Sequence, residues 1–414
     1  MKKRGEGGAK IIIFVCHEIK IMKKFSLSIV AILCVIAALA QQTPDKVRPI
    51  CGPIIENPTT TGFTVVWETN MDAIGWVEVA PDDGSHFYNR DRTKFYDLRG
   101  HGNQVISNIH KVRVDGLKPG TKYRYRIMMK GVKSFEGPSN VDYTRPWGSD
   151  VYRKNPYITS TLKENYDQVR FDVYNDIHQK DSILNVLMQG AKLEDLDFTV
   201  FNGDMVSSMA WKEKIREMFL TTGASNLKGS VPLFLQRGNH EFRGKDSKYW
   251  FDYIDGEQYH TASFGKFFFI FLDTGEDKPD NDIEYAGTML SEPYLQQQAR
   301  WLEEVIKTPE CKNAAVRIVF GHIPPRKGGW HGDENINDYF VPILNKAGIS
   351  LMICGHLHKW NVYEPDGSVS DANFPVLVNS NAERLEVTAG KKEITLKAFG
   401  PEGNQTHDYS CKVR

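Results

Sequence analysis

Val169-Arg-Phe-Asp-Val-Tyr-Asn-Asp-Ile-His178 decides how the second part of this chain is read. The short apolar run Val169–Tyr174 has the length and the β-branched and aromatic content of a strand. It breaks into Asp176 and His178, two side chains that bind metals. The same grammar recurs: Phe198–Phe201 leads into Gly203-Asp204, Leu233–Gln236 into Gly238-Asn-His-Glu241, Val316–Phe320 into Gly321-His322, and Leu351–Cys354 into Gly355-His-Leu-His358. Further strands are read at Phe267–Leu272 and Pro375–Val378, with helices near Asp181–Lys192, Trp211–Thr221, Tyr294–Lys307 and Asn335–Lys346. After Asn379 the pattern is one of paired strands turning at Ala389-Gly-Lys-Lys. Strands alternating with helices predict an α/β domain over residues 162–414. Each motif falls at the carboxyl end of a strand, where α/β folds place their ligands.

The residue types make chemical sense together. Asp176, His178, Asp204, Asn239, His322, His356 and His358 are oxygen and nitrogen donors suited to zinc, iron or manganese. Seven donors exceed the needs of one tetrahedral ion and fit two ions sharing a bridging carboxylate. Alternate residues of an extended segment share a side, so Asp-x-His and His-x-His are each expected to point at one place. Neighbouring glycines let the backbone turn at a crowded site. Any one piece is commonplace, since a lone strand histidine is most often packed and Gly-Asp is most often a turn. The ordered set carries the chemistry.

Residues 41–161 follow another pattern. Phe63-Thr-Val-Val-Trp-Glu-Thr69 and Gly75-Trp-Val-Glu-Val79 alternate as strands do, and His110-Lys-Val-Arg-Val114 leads through the Pro119-Gly120 turn to Lys122-Tyr-Arg-Tyr-Arg-Ile127. This predicts a small β-sandwich. Residues 1–40 read as a signal peptide with translation starting at Met22: a basic Met22-Lys-Lys24, an apolar Phe25–Leu39 and a small-x-small Ala38-Leu-Ala40 before Gln41. That apolar run is short for a bilayer span, so the mature protein is expected to be secreted or periplasmic with no stable membrane span. The 414 residues are 41% hydrophobic and 25% charged, which excludes large-scale disorder. Residues 1–40 carry seven Lys/Arg and two Asp/Glu, leaving 45 basic against 50 acidic side chains, a net of −5. Such a balance offers no footprint for nucleic acid. Cys51, Cys311, Cys354 and Cys411 allow three disulfide connectivities, and Cys354, inside an apolar run, reads as a buried thiol.

The order Asp-x-His, Gly-Asp, Gly-Asn-His-Glu, Gly-His, Gly-His-x-His resembles the calcineurin-like metallophosphoesterases over roughly residues 165–380. The resemblance implies a four-layer α/β/β/α sandwich. It implies two divalent or mixed-valence transition metal ions, one held by Asp176, His178 and His358 and the other by Asn239, His322 and His356, with Asp204 bridging. It further implies hydrolysis of small-molecule phosphate esters, monoesters first, by a metal-bound hydroxide without a covalent enzyme intermediate. His240, beside Asn239, is then expected to face phosphate or the leaving group.

Leu117-Lys-Pro-Gly-Thr-Lys-Tyr-Arg-Tyr125 resembles fibronectin type III domains, which precede the catalytic domain in many purple acid phosphatases. Those enzymes carry a substrate-facing histidine near where His331 stands in the loop Pro324-Pro-Arg-Lys-Gly-Gly-Trp-His331, whose Arg326 and Lys327 read as a solvated charge pair. Two positions depart from the purple enzymes. Ser207 stands where they have a tyrosine, and His178 where they have a non-ligand. The departures compensate in donor number and remove the phenolate, so the metal need not be iron(III). A phosphodiesterase using the same site, and an exported adhesion protein working through its β-sandwich, are the competing readings. Oligomeric state is not legible.

Overall fold

The computed structural model describes residues 44–151 and 156–414; the signal-peptide expectation for residues 1–40 lies outside them. Three sheets carry the fold. The first has eight strands between Pro49 and Ser160. Its long Phe63–Pro81 strand pairs through Ala73–Pro81 with Lys122–Glu136, and through its first half with Pro49–Glu56 on one side and Ser107–Val114 on the other. Alternate residues Phe63, Val65 and Trp67, with Tyr123, Tyr125 and Ile127, fill one core, as period-two patterning requires. This region is all-β.

The second sheet is ordered Leu233–Gln236, Phe198–Asn202, Gln168–Tyr174, Arg384–Gly390, Glu393–Phe399, Gln405–Lys412, parallel over its first three strands and antiparallel over the rest. The third is ordered His260–Phe264, Phe267–Phe271, Val316–Phe320, Leu351–Cys354, Val376–Val378, Asn361–Tyr363, with a parallel centre. The two sheets bury their facing sides in a phenylalanine-rich core, where Phe171 stacks on Phe198 at 4.6 Å and Phe271 on Phe320 at 4.9 Å. Helices Asp181–Gln189 and Thr221–Leu227 cover the outside of one sheet. Helices Ser291–Val305, His331–Tyr339 and Val341–Leu344 cover the other. This is the expected α/β/β/α sandwich. The strands predicted for the α/β domain lie within one residue of the observed ends, whereas Phe63–Thr69 and Gly75–Val79 of the β-region are parts of the single strand Phe63–Pro81. His260–Phe264, Asn361–Tyr363 and Gln405–Lys412 are strands the sequence reading lacked.

The β-region and the α/β region pack as one unit from Val47 to Arg414. Cys51, Ile54, Val66 and Ile109 share a core with Leu227, Trp250 and Tyr253. Beside it, buried Glu68 accepts from the Tyr253 hydroxyl at 2.6 Å and pairs with Arg216 at 3.2 Å. Tyr253→Phe is expected to cost about 1–2 kcal/mol, because Glu68 loses a buried partner. The denaturant midpoint checks this, and an unchanged midpoint would contradict it. The four described cysteines are free, with Cys354 buried as expected. Among the described residues no helix is long and apolar enough to cross a membrane.

Candidate metal centre

The strand ends converge. Asp176 and His178 follow Gln168–Tyr174, Asp204 follows Phe198–Asn202, His322 follows Val316–Phe320, and His356 and His358 follow Leu351–Cys354, while Asn239 opens a short helix. Two donor groups form: Asp176, His178, Asp204 and His358, and Asp204, His322 and His356, each with its atoms within 4.8 Å of one another. Asp204 belongs to both. Asp176 Oδ1 lies 3.2 Å from His358 Nε2, and Asp204 Oδ2 lies 3.1 Å from His322 Nε2. Asn239 joins the second group through Oδ1, 3.1 Å from His356 Nδ1. All seven predicted donors are therefore gathered.

The backbone differs from the expected extended geometry. Asp176, His178, Asp204, His356 and His358 have φ of 54°, 47°, 53°, 72° and 56°. Left-handed backbone at non-glycine residues costs energy and persists only where the surroundings enforce it. The pairs converge because sharp left-handed turns aim them, and strand alternation plays no part. Gly203, at φ 89°, adds close approach: a Cβ there would sit 2.5 Å from His322 Nδ1.

Neighbours hold the donors in place. Asn175 Nδ2 donates to Asp176 Oδ2 at 2.6 Å, and Asn379 Nδ2 donates to Asn175 Oδ1 at 2.8 Å. His322 Nδ1 donates to the Asn202 carbonyl at 2.8 Å, which turns Nε2 into the site. Glu241 is fully buried and accepts from the backbone N–H of Asp204, Val206 and Gly238 at 2.9, 3.0 and 2.7 Å. It locks two donor loops together.

Electrostatics and unsatisfied atoms both fit bound cations. Asp176 Oδ1, His322 Nε2 and His356 Nε2 are buried without a hydrogen-bond partner. Burial opposes charge on Asp176 and Asp204, yet His322 beside them holds both carboxyls below the usual range. In return, against its own burial, His322 is raised to about 10 by Asp204 and Asp176. Burial, with His322 adding, pushes His356 down to about 4. The two buried carboxylates demand positive charge, which a metal supplies in place of a proton. The oxygen and imidazole donors suit first-row transition metals.

The other predicted residues are sorted by their partners. His240 Nδ1 donates to the Ser207 carbonyl at 2.8 Å, and its Nε2 stands 3.8 Å from Asp204 Oδ2, with the side chain 28% exposed. Ser207 thus holds His240 by its backbone, while its hydroxyl accepts from Gln179. His331 is not on a loop but is the first residue of helix His331–Tyr339, and its Nε2 pairs with Glu292 at 2.9 Å. It is not among the grouped donors. Of the two expected solvated charges, Arg326 is instead tied to buried Asp333 at 3.1 Å, while Lys327 stays exposed and pairs with exposed Asp371 at 3.1 Å. Two features had no sequence signal. Arg243 clamps Glu276 and Asp277, and Asp277 reaches Asn239 Nδ2 at 3.5 Å. Trp330 lies edge-on to His356, with ring centroids 5.4 Å apart.

Comparison with known proteins agrees with this architecture. Residues 169–360 match the family model of calcineurin-like phosphoesterases, and residues 54–147 match that of the purple acid phosphatase N-terminal domain. The chain therefore carries a calcineurin-like metallophosphoesterase domain, a hydrolase class, joined to a purple acid phosphatase N-terminal domain. Among individual proteins, it is 21% identical over 277 residues to purple acid phosphatase 21 of Arabidopsis thaliana, covering 62% of this chain and 54% of that one. The chain thus spans about half the length of that relative. The solved structure of purple acid phosphatase PPD1 from yellow lupin (Lupinus luteus) seeds superposes with a TM-score of 0.61 at 13% identity, covering 86% of this chain and 73% of that one. That likeness is one of fold.

Proposed function

We propose that this chain is an exported phosphomonoesterase working at a binuclear metal centre. The observation that carries the reading is the pair of donor groups meeting at Asp204, with His240 presenting Nε2 beside them. In this reading Asp176, His178 and His358 hold one ion, Asn239, His322 and His356 the other, and Asp204 bridges. Two ions held there would polarise the phosphoryl oxygens and acidify a water. Zinc, iron and manganese all suit the donors; the phenolate of a purple iron centre has no counterpart at Ser207. Residues 1–40 serve as the export signal, 41–161 as the fibronectin-like β-sandwich and 162–414 as the catalytic domain.

His240 supplies the proton chemistry. The Ser207 carbonyl can only accept, so Nδ1 carries a hydrogen and Nε2 is left to exchange a proton with the leaving oxygen. The loop cations Arg237, Arg243, Arg326 and Lys327 are each tied to a carboxylate. His331 is held by Glu292.

His240→Ala is expected to lower kcat on an aryl phosphate about 100-fold or more while metal content is unchanged. An unaltered kcat would remove His240 from the mechanism. The reading as a whole is tested with the full chain, an aryl monoester, the matching bis-ester and chelator. Monoester turnover that chelator abolishes supports it. Faster turnover of the bis-ester would replace it with a diesterase, and no turnover with any added divalent metal would overturn it.

A further inference from the structure

A lone exposed apolar side chain is ordinary; what sets Trp330 apart is its contact with a metal-centre donor and the support of its backbone. Trp330 is 58% exposed, yet it rests on His356, a buried donor of the metal centre. Its exposed indole surface therefore borders that centre. The segment that carries it is fixed. The Trp330 backbone N–H donates to Asp333 Oδ2 at 2.8 Å, and the same carboxylate accepts from Arg326 at 3.1 Å. Asp333 is fully buried, and the next residue, His331, is anchored to Glu292. Preorganised support of this kind lowers the cost of presenting a side chain to a ligand.

We propose that Trp330 is a specificity residue, a stacking platform for a phosphate ester whose leaving group carries a planar aromatic ring. The inference rests on the phosphomonoesterase reading above. Phosphate would sit at the Asp204-centred donors, and the ring of its ester would lie along the indole. Aromatic pairs gain from offset or edge contact beyond the area they bury, and a saturated ring of the same size gains only the area. Arg243, Arg326 and Lys327 are tied to carboxylates, so discrimination between flat and saturated rings falls to the indole.

The test uses the metal-reconstituted full chain with benzyl phosphate and cyclohexylmethyl phosphate, whose alkoxides are similar in basicity and differ mainly in ring flatness. Trp330→Ala is expected to lower kcat/KM for benzyl phosphate about three- to tenfold through KM, with cyclohexylmethyl phosphate within about twofold and Trp330→Phe retaining most of the preference. Equal losses on both esters, or no loss on either, would overturn the proposal, since a merely structural tryptophan would not separate them. Calorimetric binding of benzylphosphonate provides a readout independent of turnover. If neither ester is hydrolysed but Trp330→Ala weakens that binding by a similar factor, the phosphatase reading fails and the platform stands. Unchanged phosphonate binding would overturn the platform.

Discussion

Replacing Asp204 by alanine is expected to abolish phosphate-ester hydrolysis and to strip both metals from the centre. Asp204 is the residue common to the two donor groups. It is buried, its Oδ2 lies 3.1 Å from His322 Nε2, and its Oδ1 accepts from the His240 backbone at 2.9 Å. Removing it takes away the shared donor and half of the buried negative charge that Asp176 and Asp204 supply together. Losing a mere outer support of a metal ligand costs about 10–100-fold, so loss of the bridging ligand should exceed that range. Activity on an aryl phosphate and metal content by mass spectrometry check both halves. A variant that kept two ions and turnover within tenfold of the parent, which is about the smallest loss expected even for an outer support, would show that Asp204 does not bridge.

The second large effect concerns stability. Glu241→Ala would leave three buried backbone N–H groups, those of Asp204, Val206 and Gly238, without their acceptor. Each unsatisfied group costs about 1–3 kcal/mol, so the loss is at least about 3 kcal/mol. In a unit running from Val47 to Arg414 that corresponds to a fall in Tm of roughly 4 °C or more. Metal affinity should fall with it, because Glu241 joins the loops bearing Asp204 and Asn239. A fall in Tm below about 1 °C, less than one such group is worth, would mean the three N–H groups find other partners.

The strands and donors were legible because each central strand is buried between a sheet and a helix layer and so reads as a short continuous apolar run. Against such runs Asp176, His178, Asp204, His322, His356 and His358 stand out. Left-handed φ at five of these residues has no compositional signature, since they are not glycine. That is why strand alternation was the available, and mistaken, explanation of their convergence.

The helix read as Trp211–Thr221 is displaced in the structure: a π turn at Arg216–Leu220 runs into an α-helix at Thr221–Leu227. Gly223 weakens the helical signal there, yet a Cβ at that position would lie 2.8 Å from the Phe201 ring, so its presence reflects close helix–strand packing. The helix read as Asn335–Lys346 begins earlier, at His331, and is broken before Val341. Its start relies on Asp333 accepting from the Trp330 N–H. Tryptophan at an N-cap gives no recognisable capping signature. The Arg243, Glu276 and Asp277 contacts join segments far apart in the chain, which no local pattern encodes.

One titration decides whether the centre is binuclear. Full chain stripped by chelator is reconstituted with increasing zinc, iron(II) or manganese, with bound metal and aryl phosphate turnover followed together. With at least one of these metals, activity is expected to rise to a plateau at two ions per chain. A plateau at one ion, or undiminished turnover in the stripped protein, would contradict it.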